Sequence, residues 1–226
     1  MKQITEVSLL EKKLQETQMR EIEEELTSAA KELFKKPCNF VLGAVEVSGL
    51  PPFDILEIAF AGRSNVGKSS LLNAITSRRN LARASKTPGR TREINFFSLD
   101  DKVMIADLPG YGYAKADKKS VEGWNKLVKD YLIGRPNLRQ VFLLIDSRHG
   151  LKNNDKEIVS ILDDSAVSYQ LVLTKLDKQK KEGLERVLEE IRLSSKNHPA
   201  MHPEVVFTSS AEKLGLNNLK NIIASL

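Results

Sequence analysis

The sequence predicts an α/β fold: a mostly parallel sheet flanked by helices, with a helical segment ahead of it. Three observations carry that prediction. From residue 39 onward, short apolar runs of strand type alternate with amphipathic stretches of helical period. One run, QVFLLID at 140–146, is apolar almost throughout, as expected of a strand buried on both faces of a parallel sheet. Another, ILEIAFA at 55–61, leads directly into a Gly-rich turn and a helical stretch, the strand–loop–helix order of a phosphate-binding loop.

Taken in order, residues 1–36 stand apart. They contain no Gly or Pro and are dense in Glu and Lys. Met19, Ile22, Leu26, Ala29 and Leu33 fall at spacings of 3 and 4, a helical stripe of heptad type. Leu10 and Leu14 can start a further helix upstream. The stripe is too short to define a coiled coil, and packing on the chain's own body competes with docking on a partner helix. Lys35-Lys36-Pro37 closes the segment as a basic last turn and a helix stop. After it, 39–47 reads as a strand or extended entry, 48–54 (SGLPPFD) as a turn, and 55–61 as a buried strand. A helix follows over 67–75. Residues 93–99 and 103–107 read as neighbouring strands joined at Asp100-Asp101, and 120–133 as a helix. Then come strand 140–146, helix 154–162, strand 168–174, helix 183–192, strand 205–208 and helix 216–225. The chain divides into an N-terminal helical extension, 1–36, and one globular domain, 37–226.

Composition narrows the class. With 226 residues, 41% hydrophobic and 29% charged, the chain is an ordinary globular protein rather than a disordered or fibrous one. One cysteine, Cys38, excludes internal disulfides and multi-cysteine metal sites, and fits a reducing compartment. The first residues lack a signal-peptide layout, and no apolar run reaches membrane-span length. The expectation is a soluble, cytoplasmic protein with no membrane partner, working as a monomer. Residues 1–36 hold eight acidic and seven basic side chains, or −1 of the total of +5, which leaves +6 on the rest. A positive body suits a polyanion such as nucleic acid, or simply marks a basic soluble protein.

The strongest chemical signal is Gly62-Arg63-Ser64-Asn65-Val66-Gly67-Lys68-Ser69, a full match to GxxxxGK[ST]. The glycines let backbone amides turn inward around phosphate oxygens, and the following helix presents its positive end. Lys68 reaches the terminal phosphates and the Ser69 hydroxyl suits Mg²⁺. Further segments choose the nucleotide. Asp107-Leu108-Pro109-Gly110 ends the strand VMIAD; an Asp there holds the magnesium water shell and a Gly offers its amide to a γ phosphate. Thr174-Lys175-Leu176-Asp177 ends another apolar strand. An Asp at that edge accepts from the paired N–H donors of guanine, which adenine lacks, and the Lys175 stem can lie along the base. Thr208-Ser209-Ser210 follows the last strand, where backbone amides can meet the guanine carbonyl. In open α/β sheets this edge is where ligands bind.

With GRSNVGKSSLLNA (62–74), KTPGRT (86–91), DLPGYGYA (107–114), TKLD (174–177) and TSS (208–210) in place, the chain resembles the EngB (YihA/YsxC) family of bacterial ribosome-biogenesis GTPases over residues 37–226. The resemblance implies a P-loop NTPase fold with a six-stranded mixed sheet between helices. It also implies hydrolysis of GTP to GDP and phosphate, a role in large-subunit assembly, and a need in normal cell division and septation. It implies that Thr91 is the switch threonine that ligates Mg²⁺ with Ser69, and that Gly89, Arg90, Thr91, Arg92 and Glu93 form the loop over the γ phosphate. The base motif opens with Thr174 where GTPases in general carry Asn, a departure the family shares.

Lys68, Thr91 and Asp107 are the candidate catalytic residues. Tyr111 stands where many small GTPases place a water-orienting Gln. A phenol cannot do that job in the same way, so intrinsic turnover is expected to be slow, with positioning and electrostatics supplying the rate. In related GTPases without that Gln, an Asn in the phosphate loop coordinates potassium; Asn65 is either such a K⁺ ligand or only a hydrogen-bonding turn residue. Arg78, Arg79, Arg83, Lys86, Arg90 and Arg92 form a basic run with no acid between Ile75 and Arg92. It reads as a footprint for ribosomal RNA or as a complement to bound nucleotide. A nucleotide-dependent division scaffold with incidental hydrolysis is the alternative function. His198 and His202 each precede a proline and make a poor metal pair. Trp124 reads as packing and Cys38 as structural.

Overall fold

The computed structural model describes residues 24–78, 81, 93–112 and 118–226; between 118 and 125 it describes the backbone alone. Six α-helices and seven strands are present among them: α1 (Ser28–Lys35), β1 (Cys38–Ala44), β2 (Leu56–Gly62), α2 (Lys68–Ile75), β3 (Ile94–Leu99), β4 (Val103–Asp107), α3 (Lys118–Gly134), β5 (Leu138–Asp146), α4 (Asn153–Asp164), β6 (Tyr169–Thr174), α5 (Lys181–Ser195), β7 (Val206–Phe207) and α6 (Leu216–Ser225). The strands form one sheet in the order β1-β3-β4-β2-β5-β6-β7. β3 runs antiparallel to both neighbours and the remaining pairs are parallel. The family resemblance implied six strands. The seventh is β1, whose alternating sequence pairs along β3 from Cys38↔Leu99 to Ala44↔Ile94 and makes the sheet edge.

Each face of the sheet carries one core, because the parallel strands at its centre are buried on both sides. Tyr131, Leu132, Ile158, Leu162 and Ile191 from α3, α4 and α5 cover one face. Leu33, Leu71, Leu72, Ile75, Leu219 and Ile223 from α1, α2 and α6 cover the other. Phe96 and Phe97, read from sequence as strand core, are buried one on each face.

At the end of the sheet opposite the phosphate loop lies a buried polar cluster. Glu57 is wholly enclosed. It accepts from Tyr131 Oη (2.7 Å) and from Arg135 Nη2 (2.6 Å), while Arg135 Nη1 donates to Pro51 O. A carboxylate with no exposure is costly to bury without such donors.

The N-terminal helix departs from the sequence expectation. Residues 24–27 are not helical and α1 begins at Ser28, with Thr27 Oγ1 capping it by accepting from Ala30 N. The residues turned inward are Ala30 and Leu33, not Ala29. Side chains on α6 explain the break. Asn217 Nδ2 donates to Glu24 O, Asn221 Nδ2 donates to Glu25 O, and Asn221 Oδ1 accepts from Thr27 N. Those bonds satisfy backbone groups that a continuous helix would have paired internally. Met19, Ile22, Leu10 and Leu14 lie outside the described residues.

Candidate functional site

β2 ends at Gly62, and the loop 63–67 delivers the chain to α2. Asn65 and Gly67 take the left-handed conformation, with φ of 66° and 110°; at Gly67 only glycine adopts that angle without strain. Gly62 is needed for a different reason. A Cβ there would lie 2.8 Å from Val66 Cγ1, so the loop could not fold back over the strand. The first-turn amides of α2, from Lys68 and Ser69 onward, have no partner within the helix and point into the concavity of the loop.

The segment after β4 is pinned to this loop. Leu108 N donates to Phe60 O, Ser64 N to Tyr111 O (2.9 Å) and Ser64 Oγ to Gly110 O (3.3 Å). A Cβ at Gly110 would lie 3.1 Å from Ser64 Cα, so any larger residue would press on the phosphate-loop backbone. Pro109 and Leu108 are buried, Gly110 exposed. The Lys68 ammonium and the Asp107 carboxylate pair directly. Ser69 sits one residue further into α2, half-buried. A hydroxyl and a carboxylate beside phosphate-facing amides are hard oxygen donors, and they fit a magnesium ion accompanying a nucleotide.

Tyr111 does not face that centre. Its hydroxyl donates to Asp155 Oδ1 (2.7 Å), in the first turn of α4, and the ring is buried. Burial first, then the neighbouring Asp155 charge, pushes the Tyr111 phenol well above its ordinary value. Burial also raises the Asp155 carboxyl, against the lowering bonds from Tyr111 and the Lys152 amide. The phenol is thus a neutral structural donor, committed to α4.

Strands β5 and β6 bring the base-recognition segment to the same edge. Thr174 Oγ1 donates to Val66 O (2.7 Å), which explains how a threonine serves at this position: its hydroxyl ties β6 to the phosphate loop. Lys175 is left-handed (φ 57°), and its ammonium donates to Asn65 O (2.6 Å) and to Asp146 Oδ2 (2.9 Å). Leu176 N donates to Thr208 O. Asp177 is exposed at the mouth, and its Oδ1 accepts from the buried Ser209 hydroxyl (2.6 Å). Thr208 is anchored through Oγ1 to Leu173 O, and Ser210 lies half-buried in the following turn. A cavity of about 230 Å³ adjoins the phosphate loop, lined by Arg63, Ser64, Asn65 and Val66 on one side and by Asp146, Arg148, Asp155 and Lys175 on the other.

So Gly62 through Ser69, Asp107 through Gly110, Thr174 through Asp177 and Thr208 through Ser210 come together at the C-terminal edge of the sheet. Glu93 is exposed just ahead of β3. Gly89, Arg90, Thr91 and Arg92, with Arg79, Arg83 and Lys86 of the basic run, lie outside the described residues. Sequence reasoning missed Asp146 and Arg148, whose signal was the DSR that ends strand β5. It also missed the Ser209 donor to Asp177.

The remaining candidates have other employment. His198 Nδ1 lies 2.6 Å from Asp163 Oδ2, and His202 Nδ1 accepts from Glu204 N. Cys38 is buried, and burial pushes its thiol up to about 11. The Trp124 side chain is outside the described set. No helix among the described residues is long and apolar enough to cross a membrane.

Comparison with known proteins agrees with this geometry. The family model described as "50S ribosome-binding GTPase" matches residues 57–175. A probable GTP-binding protein EngB of Cereibacter sphaeroides is 52% identical over 206 residues, covering 91% of this chain and 95% of that protein. A protein of the same name from Rhodospirillum rubrum is 51% identical over 203 residues, covering 88% of each. A crystal structure of a probable GTP-binding protein EngB superposes with a TM-score of 0.62 at 24% identity, over 75% of this chain and 97% of that one. A fold of this kind, carrying a complete phosphate loop and relatives of that closeness along nearly its whole length, places the chain in the EngB family of P-loop GTPases.

Proposed function

We propose that the protein is a molecular switch that hydrolyses GTP to GDP and phosphate and acts in assembly of the large ribosomal subunit, with a consequent need in cell division and septation. The observation that carries the reading is that the Lys68–Asp107 pair and the Thr174–Asp177 segment, tied to the phosphate loop through Lys175, share one sheet edge. The family model's description supports the ribosomal part. The chain then consists of a G domain, 37–226, with residues 1–36 as an extension.

In this reading the phosphate-loop amides and Lys68 take the β and γ phosphates, and Asp177 takes the guanine edge. Ser69 and Thr91 would hold magnesium, with Asp107 beside them, and the ion would supply charge neutralisation at the phosphates. Lys68, now paired with Asp107, exchanges that partner for phosphate. The family resemblance assigns residues 89–93 to the loop over the γ phosphate. Because the Tyr111 hydroxyl is committed to Asp155, it orients no water, and intrinsic hydrolysis is slow. Asn65, at the lip of the loop, is the ligand we assign to a potassium ion that stimulates turnover. Equal GTP turnover in matched potassium and sodium chloride would remove that assignment.

The polyanionic partner is ribosomal RNA, reached through the basic run from Arg78 to Arg92. The test is co-sedimentation with large ribosomal subunits under a GTP analogue and under GDP, across a salt series. The protein should pellet with the analogue and not with GDP. Binding should fall by about 0.7–0.9 log units per tenfold salt for each phosphate contact. Replacing Arg83, Lys86 and Arg92 by Ala should flatten that slope. A triple variant that pellets like the parent would overturn the RNA assignment.

A further inference from the structure

Asp146 belongs to none of the motifs used above, yet its carboxylate accepts from the base-segment lysine that in turn bonds the phosphate loop. It is the last residue of β5, in register with Thr174 of β6. Oδ1 accepts from Arg148 N (3.1 Å) and Arg148 Nε (2.9 Å). Oδ2 accepts from Arg148 Nη2 (2.8 Å) and from Lys175 Nζ (2.9 Å). Lys175 Nζ in turn donates to Asn65 O of the phosphate loop (2.6 Å).

We propose that Asp146 is a positioning residue for the base-recognition lysine: its carboxylate holds the Lys175 ammonium against the Asn65 carbonyl and so sets the base segment and the phosphate loop in one fixed relation. The proposal rests on reading Thr174–Asp177 as the base-recognition segment. A lysine side chain has several free rotors, and ordering it costs conformational entropy. Here the cost is met by two hydrogen bonds to the ammonium, one of them charge-assisted on both sides. Arg148 also pairs with both carboxylate oxygens through a bidentate fork, which restrains the carboxylate that Lys175 approaches at Oδ2. The backbone needs this restraint as well, because Lys175 sits at φ 57°, a conformation that non-glycine residues hold only where surroundings impose it. Burial alone would raise the Asp146 carboxyl; the bonds from Arg148 and Lys175 overcome it and hold the group well below the usual carboxylate range.

Removing the charge while keeping the shape isolates this role. Dissociation of a fluorescent GDP from the full-length Asp146→Asn protein should be about tenfold faster than from the parent, the loss expected for one charge-assisted bond, with association nearly unchanged. If Asp146 acts through Lys175, the double variant Asp146→Asn, Lys175→Met should release GDP no faster than Lys175→Met alone. Rate effects that multiply would show that Asp146 supports the fold and not the lysine. A second readout is independent of nucleotide. The Lys175 ammonium should give a slowly exchanging ¹⁵N–¹H signal in the nucleotide-free parent, identified by its loss in Lys175→Met, and absent from Asp146→Asn while the amide spectrum is retained. Should the Asn variant not fold, absence of that signal from the parent would itself overturn the proposal, and its presence would support it. GDP and ADP are compared on the parent alongside. Loss of guanine preference there would count against the base-recognition reading, while the ammonium signal still reports the Asp146–Lys175 contact.

Discussion

The Tyr111 hydroxyl donates to Asp155 Oδ1 at 2.7 Å inside the protein, joining the residue after the DLPG segment to the first turn of α4. This contact is why a tyrosine can follow that glycine without blocking the site. The ring is turned into the core and the space beside the phosphates stays open. In Tyr111→Phe the buried Asp155 oxygen loses its donor, which should cost about 1–3 kcal/mol of stability. With the hydroxyl bonded to Asp155 rather than facing the phosphate loop, GTP turnover should be little changed where the variant is folded. Urea unfolding and a turnover assay separate the two. A large fall in turnover at retained stability would place the phenol in the reaction.

Alkaline stability follows from the same burial. Tyr111 and Tyr131 are raised well above 10, first by burial and then by the carboxylates of Asp155 and Glu57; burial raises Tyr169 too. In the unfolded chain these phenols ionise near pH 10. Above that pH the unfolded state releases protons that the folded state retains, so stability present below pH 10 declines as pH rises. Of the four tyrosines, these three should titrate at 295 nm only together with loss of the circular dichroism signal. Three phenols titrating while the fold is intact would contradict the packing described.

The Glu57–Arg135 pair gives a stability test remote from the site. Arg135→Ala strands a fully enclosed carboxylate and should destabilise the protein by about 3–5 kcal/mol. Glu57 is the second residue of β2, while Gly62 ends it at the phosphate loop. GDP affinity of the folded fraction should therefore match the parent, by calorimetry below the unfolding temperature.

Much of this was legible in residue patterns, and for identifiable reasons. The strands β2, β5 and β6 are apolar on both faces and bounded by turns, so their positions follow from period and length. The phosphate loop is legible because backbone geometry restricts it to glycine at Gly67. What was not legible depended on side chains meeting across long sequence separations. The start of α1 at Ser28 depends on Asn217 and Asn221, nearly 200 residues away. The inward turn of Tyr111 depends on Asp155, and the hold on Lys175 on Asp146. No local period encodes such pairs. β1 was visible as an extended stretch, but its place in the sheet is decided by pairing with β3.

The most direct test of the account addresses Asp177, whose Oδ1 is oriented by the Ser209 hydroxyl at the mouth of the site. Calorimetric titration of GDP and XDP into the parent and into Asp177→Asn compares guanine with xanthine, whose ring offers the complementary edge. The parent should prefer GDP, and the variant should lose affinity for GDP by roughly 1–3 kcal/mol or more while gaining it for XDP. Unchanged GDP affinity in Asp177→Asn would contradict the assignment of this edge as a guanine site.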